Sequence, residues 1–250
     1  MPRTKPHTLS ETENRLLGAL PRSEYAELAP YLEDVELAFK QTLYEPRDAI
    51  DSLFFVERGV VSIVVVLDDG DVIEAGTIGK EGVVGIRGFL GADNSFNRAI
   101  CQVAGAAKRV DLDVIRQSTP ASALMRLLHR YASATITMMS MTAACNRAHS
   151  LDQRMCRWLL MTLDRVGRDE FPLTQEFMAQ MLGVRRPSVS LAGRDLQRAG
   201  LIRYSRGRVT VLDRRGLEAA SCECFARIRD EFEQVLELPP ARAARVRRVR

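Results

Sequence analysis

TQEFMAQMLGVRRPSVSLAGRDLQRA, residues 174–199, is the stretch on which the reading of this chain turns. Thr174 is a good acceptor for the backbone N–H three positions on, and Phe177, Met178, Met181 and Leu182 recur at helical spacing, so a short helix is predicted to begin there. Gly183 ends it, because the left-handed backbone that closes a helix costs glycine nothing. Val184 then packs inward. A second helix is predicted from Arg185 or Arg186 to Ala199, with Pro187 tolerated in a first turn whose amide has no intrahelical partner, and Gly200 as the stop. Its inner stripe is Val189, Ala192, Leu196 and Ala199, which leaves Arg186, Ser188, Ser190, Leu191 and Arg194 on the outside and flanks. Two such helices form a helix-turn-helix. The second is narrow enough for the major groove, where arginine takes guanine bidentately and serine reaches a base or a phosphate. Double-stranded DNA is the expected partner, met by Thr174, Gln175, Arg185, Arg186, Ser188, Ser190 and Arg194.

The flanking sequence extends this unit. LIRYSRGRVTVL, residues 201–212, reads as two short strands around a basic turn, a wing in which Arg203, Arg206 and Arg208 are placed to hold phosphates. Charge is distributed to match. Residues 21–119 carry 10 basic and 17 acidic side chains, a balance of −7, whereas residues 174–215 carry 9 and 3, a balance of +6. The last ten residues add five arginines and no acid, read as a solvated tail or an auxiliary nonspecific DNA contact. The acidic front half is repelled by a phosphate backbone that the basic half attracts, so the two face different partners.

Upstream, Asn14–Leu20 and Pro21–Glu24 look like short helices, and from Val35 to Asp113 the texture is β. Short Val-, Ile- and Phe-rich runs alternate with turns such as Asp68-Asp69-Gly70-Asp71, a hairpin signature, and glycines at 59, 70, 76, 79, 82, 85, 88, 91 and 105 suit the corners of a small barrel. The gaps are too short for the crossover helices of a parallel sheet. Past Pro120 the pattern turns helical. Leu124, Leu128, Tyr131, Thr135, Met138, Thr142 and Cys145 step in a heptad-like seam that ends at His149. Such a seam lies either on the chain's own β unit or on a second copy across a two-fold axis, and these seven residues are the expected dimer interface. Ser150-Leu151-Asp152-Gln153 restarts a helix with an apolar face at Leu151, Met155, Trp158, Leu159, Thr162 and Leu163, and Asp213 is the expected cap of a final helix to Leu238.

A β unit with glycine-marked corners, a long central helix, and LTQEFMAQMLGVRRPSV followed by LQRAGLI and a wing resemble the cyclic-AMP receptor protein and FNR family. The resemblance covers nearly the whole chain and is most specific over 173–215. It implies an α+β fold: N-terminal helices and an antiparallel, jelly-roll sensory barrel (1–119), a dimerisation helix (120–149), a winged helix-turn-helix domain (150–238) and a basic tail (239–250). It also implies a cytoplasmic homodimer on a palindromic promoter site, with RNA polymerase as a partner and an unidentified small molecule as effector. The effector site would involve Gly85, Arg87, Gly88, Arg98 and Ala99.

The departures from the family pattern are informative. Arg98-Ala99 resembles the second half of the cyclic-nucleotide phosphate cassette, but the glutamate that holds the ribose is missing from Gly85-Ile86-Arg87-Gly88-Phe89-Leu90, which speaks against a cyclic nucleotide. On the recognition helix Arg186 matches the family's first arginine, while Pro187 and Leu191 stand where a glutamate and a second arginine are usual, so a different target sequence is expected. The first cysteine is Cys101, which removes the N-terminal ligands of an iron–sulfur centre, and a lone His7 makes no haem site. The five scattered cysteines argue for a reducing compartment rather than a disulfide framework. With Cys222 and Cys224 placed on one helix, two residues apart and about 200° around it, no metal is expected between them. No motif of an enzyme is present: Gly79-Lys80-Glu81-Gly82 lacks the spacing of a phosphate loop and reads as a turn. The alternative to a DNA-binding regulator is a protein-interaction or cofactor-based sensor of the same fold.

Overall fold

A computed structural model describes residues 12–237. The chain opens with α1 (Arg15–Gly18) and α2 (Arg22–Leu28). Asn14 anchors α1: its side-chain oxygen accepts from the Leu16 and Leu17 amides, while its Nδ2 donates to the carbonyls of Val56 and Gly82. Six strands follow, β1 (Glu33–Leu37), β2 (Thr42–Tyr44), β3 (Ser52–Val66), β4 (Val72–Ile78), β5 (Val83–Val84) and, after the short α3 (Ile86–Phe89), β6 (Arg98–Asp111). Every pairing is antiparallel, in a path β1-β6-β3-β4 with β2 on β6 and β5 on β3.

The long strands β3 and β6 are bent where glycines allow it. Their register shifts three times between Val56 and Val61. There Gly59 has φ +88°, and a Cβ on Gly105 would overlap the Arg58 carbonyl, so only glycine fits the bulge. The bend rolls the sheet around one apolar cluster that includes Tyr44, Val61, Ile63, Ile78 and Cys101. The outer face packs on helices, through Leu53, Phe55, Val64 and Val83.

After α4 (Leu112–Arg116) come α5 (Ala123–Ala148) and α6 (Leu151–Val166). Ser150 separates them with a full capping box to Gln153. The expected seam on α5 proves internal. Leu124, Leu128, Tyr131, Thr135, Met138, Thr142 and Cys145 are all buried within the chain, so they are not available to a second copy. The reason is local: Met138 fills the space that a Cβ on Gly76 of β4 would need, and the Tyr131 ring lies between Gly82 and the ring of Phe232, 5.8 Å away. The face of α5 that stays open carries His129, Ser133, Ile136, Ser140, Ala143 and Arg147.

The C-terminal part consists of β7 (Glu170–Pro172), α7 (Gln175–Leu182), α8 (Arg186–Arg198), β8 (Ile202–Ser205), β9 (Arg208–Val211), α9 (Arg214–Ala220) and α10 (Cys224–Leu236). The single final helix expected from Asp213 is therefore two, broken at Ser221–Glu223, although Asp213 does cap α9 by accepting from the Gly216 amide. Cys222 precedes α10 and Cys224 begins it, so the angular argument that kept them apart does not apply. The basic tail lies outside the described residues. Among the described residues no helix is long and apolar enough to cross a membrane.

Candidate nucleic-acid interface

Each local signal in 174–199 has a structural counterpart. Thr174 Oγ1 accepts from the Phe177 amide at 3.1 Å and starts α7. Gly183, at φ +62°, ends it. Arg185 is the residue before α8, Arg186 its first and Pro187 its second. Val189, Ala192 and Leu196 are buried against the body of the unit, joined by Gly193, which faces Met155 of α6. Ala199, expected on this stripe, is instead the exposed C-cap.

The outward face of α8 carries Arg185, Arg186, Pro187, Ser188, Leu191 and Arg194, all exposed. Leu191 is 54% exposed, an unusual position for a large apolar side chain and a match for a thymine methyl in a groove. Its outward placement follows from the spacing, while its apolar chemistry gives no signal of a DNA contact. Ser190 and Gln175 meet each other. The Ser190 hydroxyl donates to Gln175 Oε1 at 2.7 Å, a link between α7 and α8.

The wing is the three-stranded sheet β7-β9-β8. Arg206 and Gly207 both take positive φ, +50° and +72°, which gives the tight turn its twist. The turn leans on the start of α7: the Leu173 amide donates to the Gly207 carbonyl at 2.7 Å, and Gly207 lies beside Thr174. Tyr204 ties wing to helices, its amide donating to Gln197 and its hydroxyl to the Leu173 carbonyl, each at 2.8 Å. Arg203 and Arg206 are exposed. Arg208 is exposed but held, its Nε donating to Glu170 at 2.6 Å, and that contact keeps the Glu170 carboxyl below its ordinary pKa. Arg208 thus pairs with Glu170 across the neighbouring wing strands β7 and β9.

The reading unit lies against the β domain. Gly70, Asp71, Val72 and Ile73 of the β3–β4 hairpin share one open cleft of about 570 Å³ with Glu176, Gln180, Arg185 and Arg186. Ile73 touches the Gly183 position, and the rings of Phe39 and Phe177 sit 6.5 Å apart. Deeper in the same junction Trp158 of α6 donates to Glu74 of β4 at 2.8 Å. Burial pushes the Glu74 carboxyl up to about 7, against the opposing pull of the Ser62 hydroxyl, the Trp158 N–H and the Arg157 and Arg165 guanidinium groups.

The residues expected to hold an effector are only partly assembled. Gly85, Arg87 and Ala99 line a small apolar cavity with Tyr44, Ile63 and Ile78, closed on one side by Thr135 and Met139 of α5. Its volume is about 50 Å³, against roughly 300 Å³ or more for a small-molecule site. Gly88 packs instead on Ile50 and Leu112, and Arg98 donates to Glu45 at 2.8 Å. Neither lines the cavity.

Comparison with known proteins agrees with this geometry. The family profile described as the Crp-like helix-turn-helix domain matches residues 153–220, and the cyclic nucleotide-binding domain matches residues 35–118. No curated protein sequence matches the chain. Among solved structures the fold is similar to FixK2 from Bradyrhizobium japonicum (TM-score 0.67, 14% identity, covering 76% of this chain and 98% of that one). It is also similar to TTHB099, a CRP-family transcriptional regulator from Thermus thermophilus (0.63, 24%, 75% and 96%), and to TTHA1359, a CRP/FNR-family transcriptional regulator from the same organism (0.59, 18%, 76% and 98%). A rolled antiparallel sheet, a long helix and a winged helix-turn-helix in this order, with both family profiles in place, make the chain a member of the Crp/Fnr family of DNA-binding transcription regulators.

Proposed function

We propose that the chain reads a two-fold promoter site as a homodimer, with α8 in the major groove and the wing on the flanking phosphates. The observation that carries this reading is the outward row Arg185, Arg186, Ser188, Leu191 and Arg194 on α8, backed by the exposed wing residues Arg203 and Arg206. The open face of α5 is the proposed dimer surface. Ser133, Ile136, Ser140 and Ala143 follow heptad spacing, Ile136 is 60% exposed, and the small neighbours allow two helices to approach closely. RNA polymerase is the proposed partner at the promoter, on the strength of the family.

Control is proposed to act on the docked form. Gly70 and Asp71, at the end of the acidic hairpin 68–71, share a cleft with Arg185 and Arg186, where a phosphate backbone would have to lie, so docking lowers affinity for DNA until a signal at the β domain releases the reading unit. The effector cavity abuts Thr135 and Met139, which gives a ligand there a direct contact with α5. Its size and apolar walls favour a small apolar ligand over a cyclic nucleotide, and no bound cofactor is needed for the DNA-reading step. The test is DNA binding by Arg186→Ala. Loss of a bidentate base contact costs about 1 to 3 kcal/mol and relaxes specificity at one position; unchanged affinity and specificity in a mobility-shift assay refute α8 as the reader.

A further inference from the structure

We infer that Cys145, His149, Cys222 and Cys224 form a binding site for a zinc-class divalent cation, which clips the end of α5 to the turn between α9 and α10. The four donor atoms all lie within 4.8 Å of one another. Cys145 Sγ is 3.5 Å from Cys222 Sγ, and Cys224 Sγ is 3.7 Å from His149 Nδ1. Around a tetrahedral zinc these edges measure about 3.8 Å between sulfurs and about 3.6 Å from sulfur to nitrogen, so the set needs only small adjustments to close on the metal.

The surroundings fit the same chemistry. Cys145 and His149 stand four residues apart at the end of α5, on one face, and the break at Ser221–Glu223 brings Cys222 and Cys224 to meet them. The three sulfurs are buried. His149 presents Nδ1 to the thiols, while its Nε2 lies 3.2 Å from the Glu223 carboxylate, the outer partner that orients a metal-bound imidazole. Three thiolates around a divalent cation leave one net negative charge. Arg157, only 4% exposed and with its Nε lacking a hydrogen-bond partner, is the buried cation that faces Cys145. Binding releases the thiol protons to solvent and changes no oxidation state.

The position gives the clip a consequence. His149 is the last residue before Ser150, where α5 gives way to the α6 that carries the reading unit. A filled site holds that junction to α10. This inference does not depend on DNA binding: metal content and DNA affinity are separate measurements, and either can fail alone.

The experiment is metal analysis of the full chain purified under reducing conditions, together with cobalt titration of chelator-stripped protein. One zinc per chain, and thiolate-to-cobalt charge transfer with the intense bands of a tetrahedral ion at one equivalent, are expected. Cys222→Ser and Cys224→Ser should abolish both, and Cys101→Ser, remote from the cluster, should retain both. Because a serine variant can misfold, the wild-type cobalt titration decides independently. No cobalt charge transfer from reduced apoprotein, a Cys145–Cys222 disulfide in anaerobically purified chain, or iron with acid-labile sulfide in place of zinc would each overturn the assignment.

Discussion

Glu74→Gln isolates one charge at the junction of the sensory sheet and the reading unit. In the native chain the carboxyl is buried and one oxygen accepts from Trp158. Burial raises its pKa from the ordinary 4.5 to about 7. The folded chain therefore keeps a proton that the unfolded chain has released across this window, so stability is greatest below about 4.5 and falls as pH rises towards 7. At about 1.4 kcal/mol per pH unit the whole loss is on the order of 3 kcal/mol. Glutamine keeps an acceptor for the Trp158 N–H and cannot ionise. The variant should match the wild type near pH 4, exceed it at pH 8 by up to that amount, and melt up to roughly 10 °C higher there. Thermal and urea unfolding at the two pH values are the assay. Parallel pH profiles for the two proteins would refute the claim that an ionising carboxyl limits the junction.

Three further perturbations follow from the same geometry. Ile136→Glu, on the exposed face of α5, should convert a two-chain particle to a single chain in light scattering while leaving the fold intact, because the side chain touches solvent within one copy. Replacing Asp68, Asp69 and Asp71 by asparagine should raise DNA affinity about fivefold or more at low salt in a fluorescence-anisotropy titration, and the gain should shrink as salt screens the hairpin. Gly105→Ala places a methyl against the Arg58 carbonyl and Gly59 amide, neither of which can move freely; a loss of about 3 kcal/mol or more is expected in urea unfolding.

The helix-turn-helix was legible because its signals are local. A cap at Thr174, a left-handed glycine at 183, a proline in the first turn of α8 and an apolar stripe each act within a few residues. The β unit was legible for the same reason, through its turns and glycines. The seam on α5 shows the limit: periodicity states that Leu128, Tyr131 and Met138 are buried, but not by what, and the answer lies in β4 and α10, far along the chain. The break before α10 carries no proline or glycine, so nothing local in the sequence separates Cys222 from the helix that begins at Cys224. Its meeting with Cys145, 77 residues away, is a product of tertiary packing alone. The Ser190–Gln175 bond and the capture of Arg208 by Glu170 are likewise side-chain pairings that outward-facing positions do not reveal.

Whether α8 reads DNA as one half of a two-fold pair is decided by selecting bound sites from random duplex DNA with the purified full chain, in parallel with Arg186→Ala. One shared motif is expected, arranged as an inverted repeat with half-sites about one helical turn of 10 base pairs apart, and with preference relaxed at a single position of each half-site in the variant. Recovery of fragments with no common sequence, or an identical motif from both proteins, would contradict that reading.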